Sequence, residues 1–222
     1  MITALIFDFD GLIIDSETPE FAVWQQTFAA HGRELDFAIW ADWIGRPYTH
    51  FDVYSYFRDH VNPAVDIDEL RSSIRARVVS LTLEQPLLPG VQNYLADAGK
   101  AGLSIAVASS SSRSHVCGHL ERLGLLHHFK AVKCFEDTAA HKPDPAPYLA
   151  ALEQLGVSPH EAVAFEDSPN GVTSAKAAGI FCVAVPNNLT RRLSLDHADH
   201  RLESLADESL QDILSRAQRR KA

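Results

Sequence analysis

The sequence lacks most of the features that would assign it to a specialised class. Only three of its 222 residues are cysteine, Cys117, Cys134 and Cys182. An odd count without CxxC spacing argues against a disulfide framework and a structural zinc site, and fits a reducing cytoplasm. Basic residues are the minority: 20 Lys and Arg against 29 Asp and Glu leave a net charge of −9. That balance works against nucleic acid or an anionic membrane as the main partner. There is no long hydrophobic run. The apolar stretch from Ile2 to Phe7 stops at Asp8 and Asp10 with no basic residue before it, so neither a signal peptide nor a membrane span is expected there. Internal repeats, low-complexity segments, GxxxxGK[ST] and GxGxxG are all absent, which removes the common nucleotide-phosphate loops. What is present, 46% hydrophobic and 22% charged residues, suits a soluble cytoplasmic protein of one domain plus a smaller one, a monomer or weak dimer.

Ala4 to Phe7 reads as a fully buried strand, with Asp8 and Asp10 at its C-terminal end. The pattern then turns helical. Phe21, Trp24, Phe28 and His31 recur at three- and four-residue steps, and helical stretches follow at Leu35 to Ile44, Thr49 to His60 and Asp66 to Glu84, the last with Asp66 as N-cap. Two prolines and a glycine in 85–90 end this region. Beyond them helices alternate with strands at Ser104 to Ala108, Ala131 to Phe135, Ala162 to Phe165 and Phe181 to Val185. The alternation predicts an α/β fold, a parallel sheet with helices on both faces. Residues 16–85 are then an all-helical insertion, with 1–15 and 86–222 forming the core. The basic tail from Arg216 to Lys221 reads as a solvated helix C-terminus.

In an open parallel sheet the ligand lies beyond the carboxyl ends of the strands. Those ends run into Asp8 and Asp10, Ser109 to Ser111, Glu136 and Asp137 with Lys142 further on, and Glu166 to Ser168. Each has a plain reading: acids in a solvated turn, an N-cap serine run, a solvated lysine, turn and capping chemistry. Together they also fit one chemistry. Asp8 and Asp10 become a nucleophile and a general acid/base, Glu166 and Asp167 add carboxylates for an oxygen-liking cation such as Mg²⁺, and Ser109, Ser110 and Lys142 contact phosphate oxygens. Cation, lysine and hydroxyl donors would cancel the repulsion between a carboxylate and a phosphate, so a phosphoaspartate can form on Asp8. Asp10 would protonate the leaving oxygen and later activate water. His197 and His200 share a helix-like spacing without a third ligand and read as a surface pair.

Asp8-Phe9-Asp10-Gly11, Val107-Ala108-Ser109-Ser110, Lys142-Pro143-Asp144-Pro145 and 165–171 (FEDSPNG) resemble the four ordered motifs of the haloacid dehalogenase superfamily. The string DGLIIDSE at 10–17 is similar to its sugar-phosphate phosphatase and β-phosphoglucomutase-like branch. The resemblance implies a Rossmann-like three-layer core with residues 16–85 as a helical cap. It also implies Mg²⁺ held by the Asp8 carboxylate, the Asp10 main-chain carbonyl and Asp167, with Glu166 nearby. The activity implied is phosphomonoester hydrolysis of a small phosphorylated metabolite, a sugar or polyol phosphate. A phosphosugar mutase and a non-catalytic member are the alternatives. Where β-phosphoglucomutases carry a cap histidine this chain has Glu20, and 44–48 only loosely matches their arginine segment, so hydrolysis is the default outcome. Glu17, Glu20 and Arg46 are the cap residues expected at the substrate.

Overall fold

The computed structural model describes residues 1–41, 44 and 52–219. In chain order the elements are β1 (Ala4–Phe7), α1 (Glu17–Ala29), α2 (Phe37–Ala41), α3 (Val53–His60), α4 (Ile67–Leu83), α5 (Val91–Lys100), β2 (Ser104–Ala108) and α6 (Arg113–Arg122). They continue with β3 (Ala131–Lys133), α7 (Ala146–Leu155), β4 (Ala162–Glu166), α8 (Pro169–Ala177), β5 (Phe181–Ala184), β6 (His200–Arg201) and α9 (Leu210–Arg219). The six strands form one parallel sheet in the order β3-β2-β1-β4-β5-β6. The strand order reverses at β1, so the crevice for a ligand opens beside its carboxyl end.

Alternation along each strand divides the core into two layers. Leu5, Phe7, Ile105, Val107, Val163 and Phe165 face one side, where they meet apolar residues of α5, α6 and α9. Ala4, Ile6, Ala106, Ala108, Ala162 and Ala164 face the other, against Tyr148 and Leu152 of α7 and Val172 and Ala175 of α8. Alanines on that face let α7 and α8 approach the sheet closely, which brings Tyr148 and the start of α8 up to Glu166. Near 25 cal/mol per Å² of apolar area, these two layers carry most of the driving force for the fold.

α1 to α4, inserted between β1 and α5, share an apolar cluster with Trp24, Phe28, Trp40, Phe57 and Ile74 buried in it. Phe28 and Phe57 pack edge to face at 5.1 Å. Asp66 caps α4 as expected, accepting from the backbone of Asp68 at 2.9 Å and Glu69 at 3.0 Å. The cluster also takes in Leu189 from the segment after β5. On that segment Arg192 lies 3.5 Å over the Phe37 ring, and Asn170 of α8 donates to the Ile44 carbonyl at 2.8 Å.

Several boundaries differ from the sequence reading. The helix expected at 35–44 is described only as α2 and the one at 49–60 only as α3, since 42, 43 and 49–51 lie outside the described residues. β3 stops at Lys133 because Phe135–Asp137 winds into a 3-10 turn, with the Cys134 amide donating to the Asp137 carboxylate at 2.7 Å. The helix expected over His115 to Leu123 is α6, which starts two residues earlier, at Arg113. β6, two residues long, gave no periodic signal. It removes the helix-like relation of the two histidines: His200 lies in β6 against Glu208 at 3.1 Å, and His197 lies in a turn against Thr173 at 3.1 Å. No helix among the described residues is long and apolar enough to cross a membrane.

Candidate active site

Asp8 follows β1 directly, its amide donating to the Phe165 carbonyl of β4 at 2.9 Å. The sheet therefore fixes the backbone that carries its carboxylate. Lys142, buried at 3% exposure, donates to Asp8 and, at 2.6 Å, to Glu166. Tyr148 of α7 donates to the same Glu166 oxygen at 2.5 Å. Glu166 Oε2 is buried without a partner among the described residues. Ligand oxygens of Asp8, Glu166 and Asp167 lie within 4.8 Å of one another. Burial pushes the Asp8 carboxyl up to about 7, Lys142 pulls it back, and the charges of Glu166 and Asp10 push it up again. Asp167 is likewise raised, by burial first and then by Glu17, Asp8 and Glu166. For Lys142, burial works against the charge, but the two carboxylates outweigh it and the ammonium is held well above its ordinary range.

The Asp10 carboxylate is held differently. Oδ1 accepts from Ser16 at 2.6 Å and from His115 of α6 at 2.8 Å, while Oδ2 accepts from Ser111 at 2.6 Å and, at 3.5 Å, from Ser109. Burial would raise this carboxyl, yet the His115 charge and the hydrogen bonds from His115, Ser111 and Ser16 prevail, holding it well below the usual carboxylate range. His115 is raised in turn: burial works against its charge, and Asp10 outweighs burial. So two carboxylates two residues apart sit in opposite environments, one favouring a proton and one favouring the anion.

Other expected residues are placed as follows. Ser109 is buried beside Asp10, and Ser110 Oγ is buried without a partner among the described residues. Glu17, in the first turn of α1, accepts from Asn187 at 3.2 Å, and its carboxyl is raised chiefly by burial and then by the charges of Asp10, Asp8 and Asp15. At the start of the inserted helices it stands among the acidic residues of the site. Glu20 lies one turn further along α1, near enough for its charge to act on His115. Arg46 lies outside the described residues. Glu136 and Asp137 do not join the site: Glu136 accepts from the Arg113 amide at 2.9 Å, and Asp137 pairs with the Arg113 guanidinium at 2.5 Å.

Three contributors escaped the sequence reading. Asn187 donates to Asp167 at 2.8 Å as well as to Glu17, while its carbonyl oxygen accepts from the amides of Leu189 and Thr190. Tyr148 and His115 are the others, and both sit on helices whose apolar periodicity hides them. Two glycines make room for the site. Gly11 has φ +76°, and a Cβ there would overlap Asn187 and Asp167; a Cβ at Gly171 would fall on the Glu166 carboxylate.

These residues fit a divalent cation. Three hard carboxylates converge, and among the described residues Glu166 Oε2 has no donor and no Cys or His joins the cluster. Oxygen-only donors select Mg²⁺ over zinc.

The family model for haloacid dehalogenase-like hydrolases matches residues 5–185. YhcW of Bacillus subtilis (strain 168), provisionally named a phosphatase, is 42% identical over 214 residues, 96% of this chain and 97% of YhcW. The validoxylamine A 7'-phosphate phosphatase of Streptomyces hygroscopicus subsp. limoneus is 30% identical, with 83% of this chain and 86% of that protein covered. Among solved structures, CbbY from Rhodobacter sphaeroides in complex with phosphate superposes with a TM-score of 0.74 at 29% identity, covering 95% of this chain and 98% of that one. With the fold, the order of the strand-end motifs and near full-length relatives all in agreement, the chain belongs to the haloacid dehalogenase-like hydrolase family.

Proposed function

We propose that this protein is a Mg²⁺-dependent phosphomonoesterase that acts on a small phosphorylated metabolite through a phosphoaspartate on Asp8. The carrying observation is the buried Asp8 carboxylate, fixed by Lys142 at the carboxyl end of β1, with Glu166 and Asp167 converging on it. Phosphatase names among the relatives and phosphate bound in CbbY support the reaction class.

Asp8, Asp167 and Glu166, with the Asp10 carbonyl, would hold the ion. When bound, Mg²⁺ supplies charge that lowers the repulsion between carboxylate and phosphate. Lys142 is already turned to Asp8 and adds fixed positive charge, while the Ser109 and Ser110 hydroxyls donate to phosphate oxygens. An Asp8 oxygen bonds to phosphorus as the ester P–O bond breaks. Asp10, whose carboxyl favours the anion in the free protein, takes up a proton as the phosphorylated substrate binds and gives it to the leaving oxygen; it next takes a proton from the water whose oxygen attacks phosphorus and frees Asp8. Residues 16–85 act as a cap that covers the strand ends and, through Glu17, Glu20 and Arg46, selects the leaving group. Relatives named fructose-1-phosphate phosphatase and glycerol-3-phosphatase support a sugar or polyol phosphate as substrate.

The test is a phosphate-release screen over phosphorylated sugars, polyols and other small metabolites, with Mg²⁺ and with chelator. Release that needs Mg²⁺ and is lost in Asp8→Asn supports the assignment. No release from any substrate, or release indifferent to the metal, overturns it.

A further inference from the structure

Asp10 carries the proton in the reaction just described, yet its carboxylate is not free to turn. His115 is the one ring among its four donors, and the ring is itself wedged: Phe9 meets it edge-on at 5.6 Å and 89°, and His119 at 4.8 Å and 70°. The backbone of His115 is anchored too, in the first turn of α6, with its amide directed to the N-cap residue Ser112. A donor held on two sides loses little further freedom when it binds its acceptor. His115 and Ser16 both address Oδ1, and this leaves Oδ2 turned to Ser111 and Ser109, the side on which a phosphate is expected.

We propose that His115 is a positioning residue for Asp10: its Nε2–H clamps Oδ1, so that Oδ2 is the oxygen presented to the leaving group and then to water. The proposal rests on the reading of Asp10 as general acid and base. No proton passes through His115. Ser16 stands at the entry to α1, while Ser111 and His115 belong to the segment after β2, so the core side supplies the only aromatic restraint among these contacts. Removing the imidazole would leave Oδ1 with one donor and let the carboxylate swing.

The measurement compares kcat and kcat/KM for a series of aryl phosphates running from phenyl phosphate to 4-nitrophenyl phosphate, in Mg²⁺. The proteins are the wild type, Asp10→Asn, His115→Phe and His115→Gln. Phenolate leaving from phenyl phosphate needs a proton, whereas 4-nitrophenolate needs much less help. His115→Phe keeps the ring packing and loses the donor; His115→Gln restores an N–H at the reach of Nε2. The expected result is a fall in kcat/KM of about 10- to 100-fold on phenyl phosphate for His115→Phe, the usual loss for removing an outer partner. The fall on 4-nitrophenyl phosphate should be several-fold smaller, KM nearly unchanged, and most of the loss recovered in His115→Gln. Asp10→Asn should show the same leaving-group pattern, only stronger. Equal losses across the series in a folded His115→Phe protein, or no recovery in His115→Gln, would overturn the positioning role while Asp10→Asn still upheld the phosphatase reading. If Asp10→Asn itself turned over all substrates normally, that reading and the role of His115 would fall together.

Discussion

Freed of divalent cations, the protein should be penalised at neutral pH by its own active site, and Asp8 is one cause. Burial lifts this carboxyl from 3.8 to about 7. Because the folded value lies above the unfolded one, the folded protein keeps a proton that the unfolded chain has released. The associated stability is complete below about pH 4 and is lost as pH rises through 7. A shift of roughly 3 units at 1.36 kcal/mol each is worth about 4 kcal/mol. Glu17 and Asp167 are also raised and add loss of the same sign. His119, lowered to about 4 by burial and then by His115 and Arg122, runs the other way between pH 4 and 6.5, so the raw pH curve mixes signs. The difference between wild type and Asp8→Asn reads this contribution together with the relief of Glu17 and Asp167, which the Asp8 charge also raises, since the amide does not titrate yet can still accept from Lys142. Urea unfolding of both proteins in chelator, at unit steps from about pH 4 to pH 8, should show Asp8→Asn gaining about 4 kcal/mol on the wild type, with m-values unchanged. Mg²⁺ at 100 times its Kd should return about 2.7 kcal/mol to the wild type at pH 8. A gap that stays flat, or narrows as pH rises, would refute the assignment of a buried, proton-favouring Asp8.

Gly171→Ala should destabilise the protein by about 2–5 kcal/mol in chemical unfolding. The new methyl displaces Glu166 from Lys142 and Tyr148, costing two buried bonds of about 1.5–3 kcal/mol each against a helix-propensity gain of about 1 kcal/mol. Asn187→Ala, which removes the donor to Asp167 and Glu17, should weaken Mg²⁺ binding about 10- to 100-fold in titration calorimetry; unchanged affinity would show that Asp167 needs no such support. Asp66→Ala should cost about 1 kcal/mol by loss of the α4 N-cap, read as a lower midpoint in urea. Substitutions at Glu20 or Arg46 should reorder kcat/KM among phosphorylated substrates while keeping hydrolysis of 4-nitrophenyl phosphate, and equal loss of both would put the cap into the chemical steps.

The fold was largely legible because its signals are local and strong. The buried run at 4–7, the prolines at 86 and 89 and the alternation beyond them locate most elements to within a few residues. β6 was illegible because two residues carry no period. Within the site, Asp8, Asp10, Lys142, Glu166 and Asp167 were readable since acids and a lysine at strand ends stand out against apolar surroundings. Glu136 and Asp137 stood out equally at a strand end without being given a role, and the 3-10 turn after β3 hands them to Arg113. His115, Tyr148 and Asn187 were missed for the converse reason. Each is a residue type common in helices or turns, and each gains its meaning only from contacts far along the chain, such as the pairing of Tyr148 with Glu166 across α7 and β4.

The central claim, covalent transfer to Asp8, is tested most directly by rapid acid quench of Asp10→Asn with a phosphate-labelled substrate in Mg²⁺, followed by peptide mass analysis. The variant keeps the nucleophile and loses the base that frees it, so label should accumulate on the peptide carrying Asp8 as an acyl phosphate cleaved by hydroxylamine. Adding Asp8→Asn to the same chain should abolish that label. Label on another residue, or near-normal turnover by Asp8→Asn alone, would contradict the account.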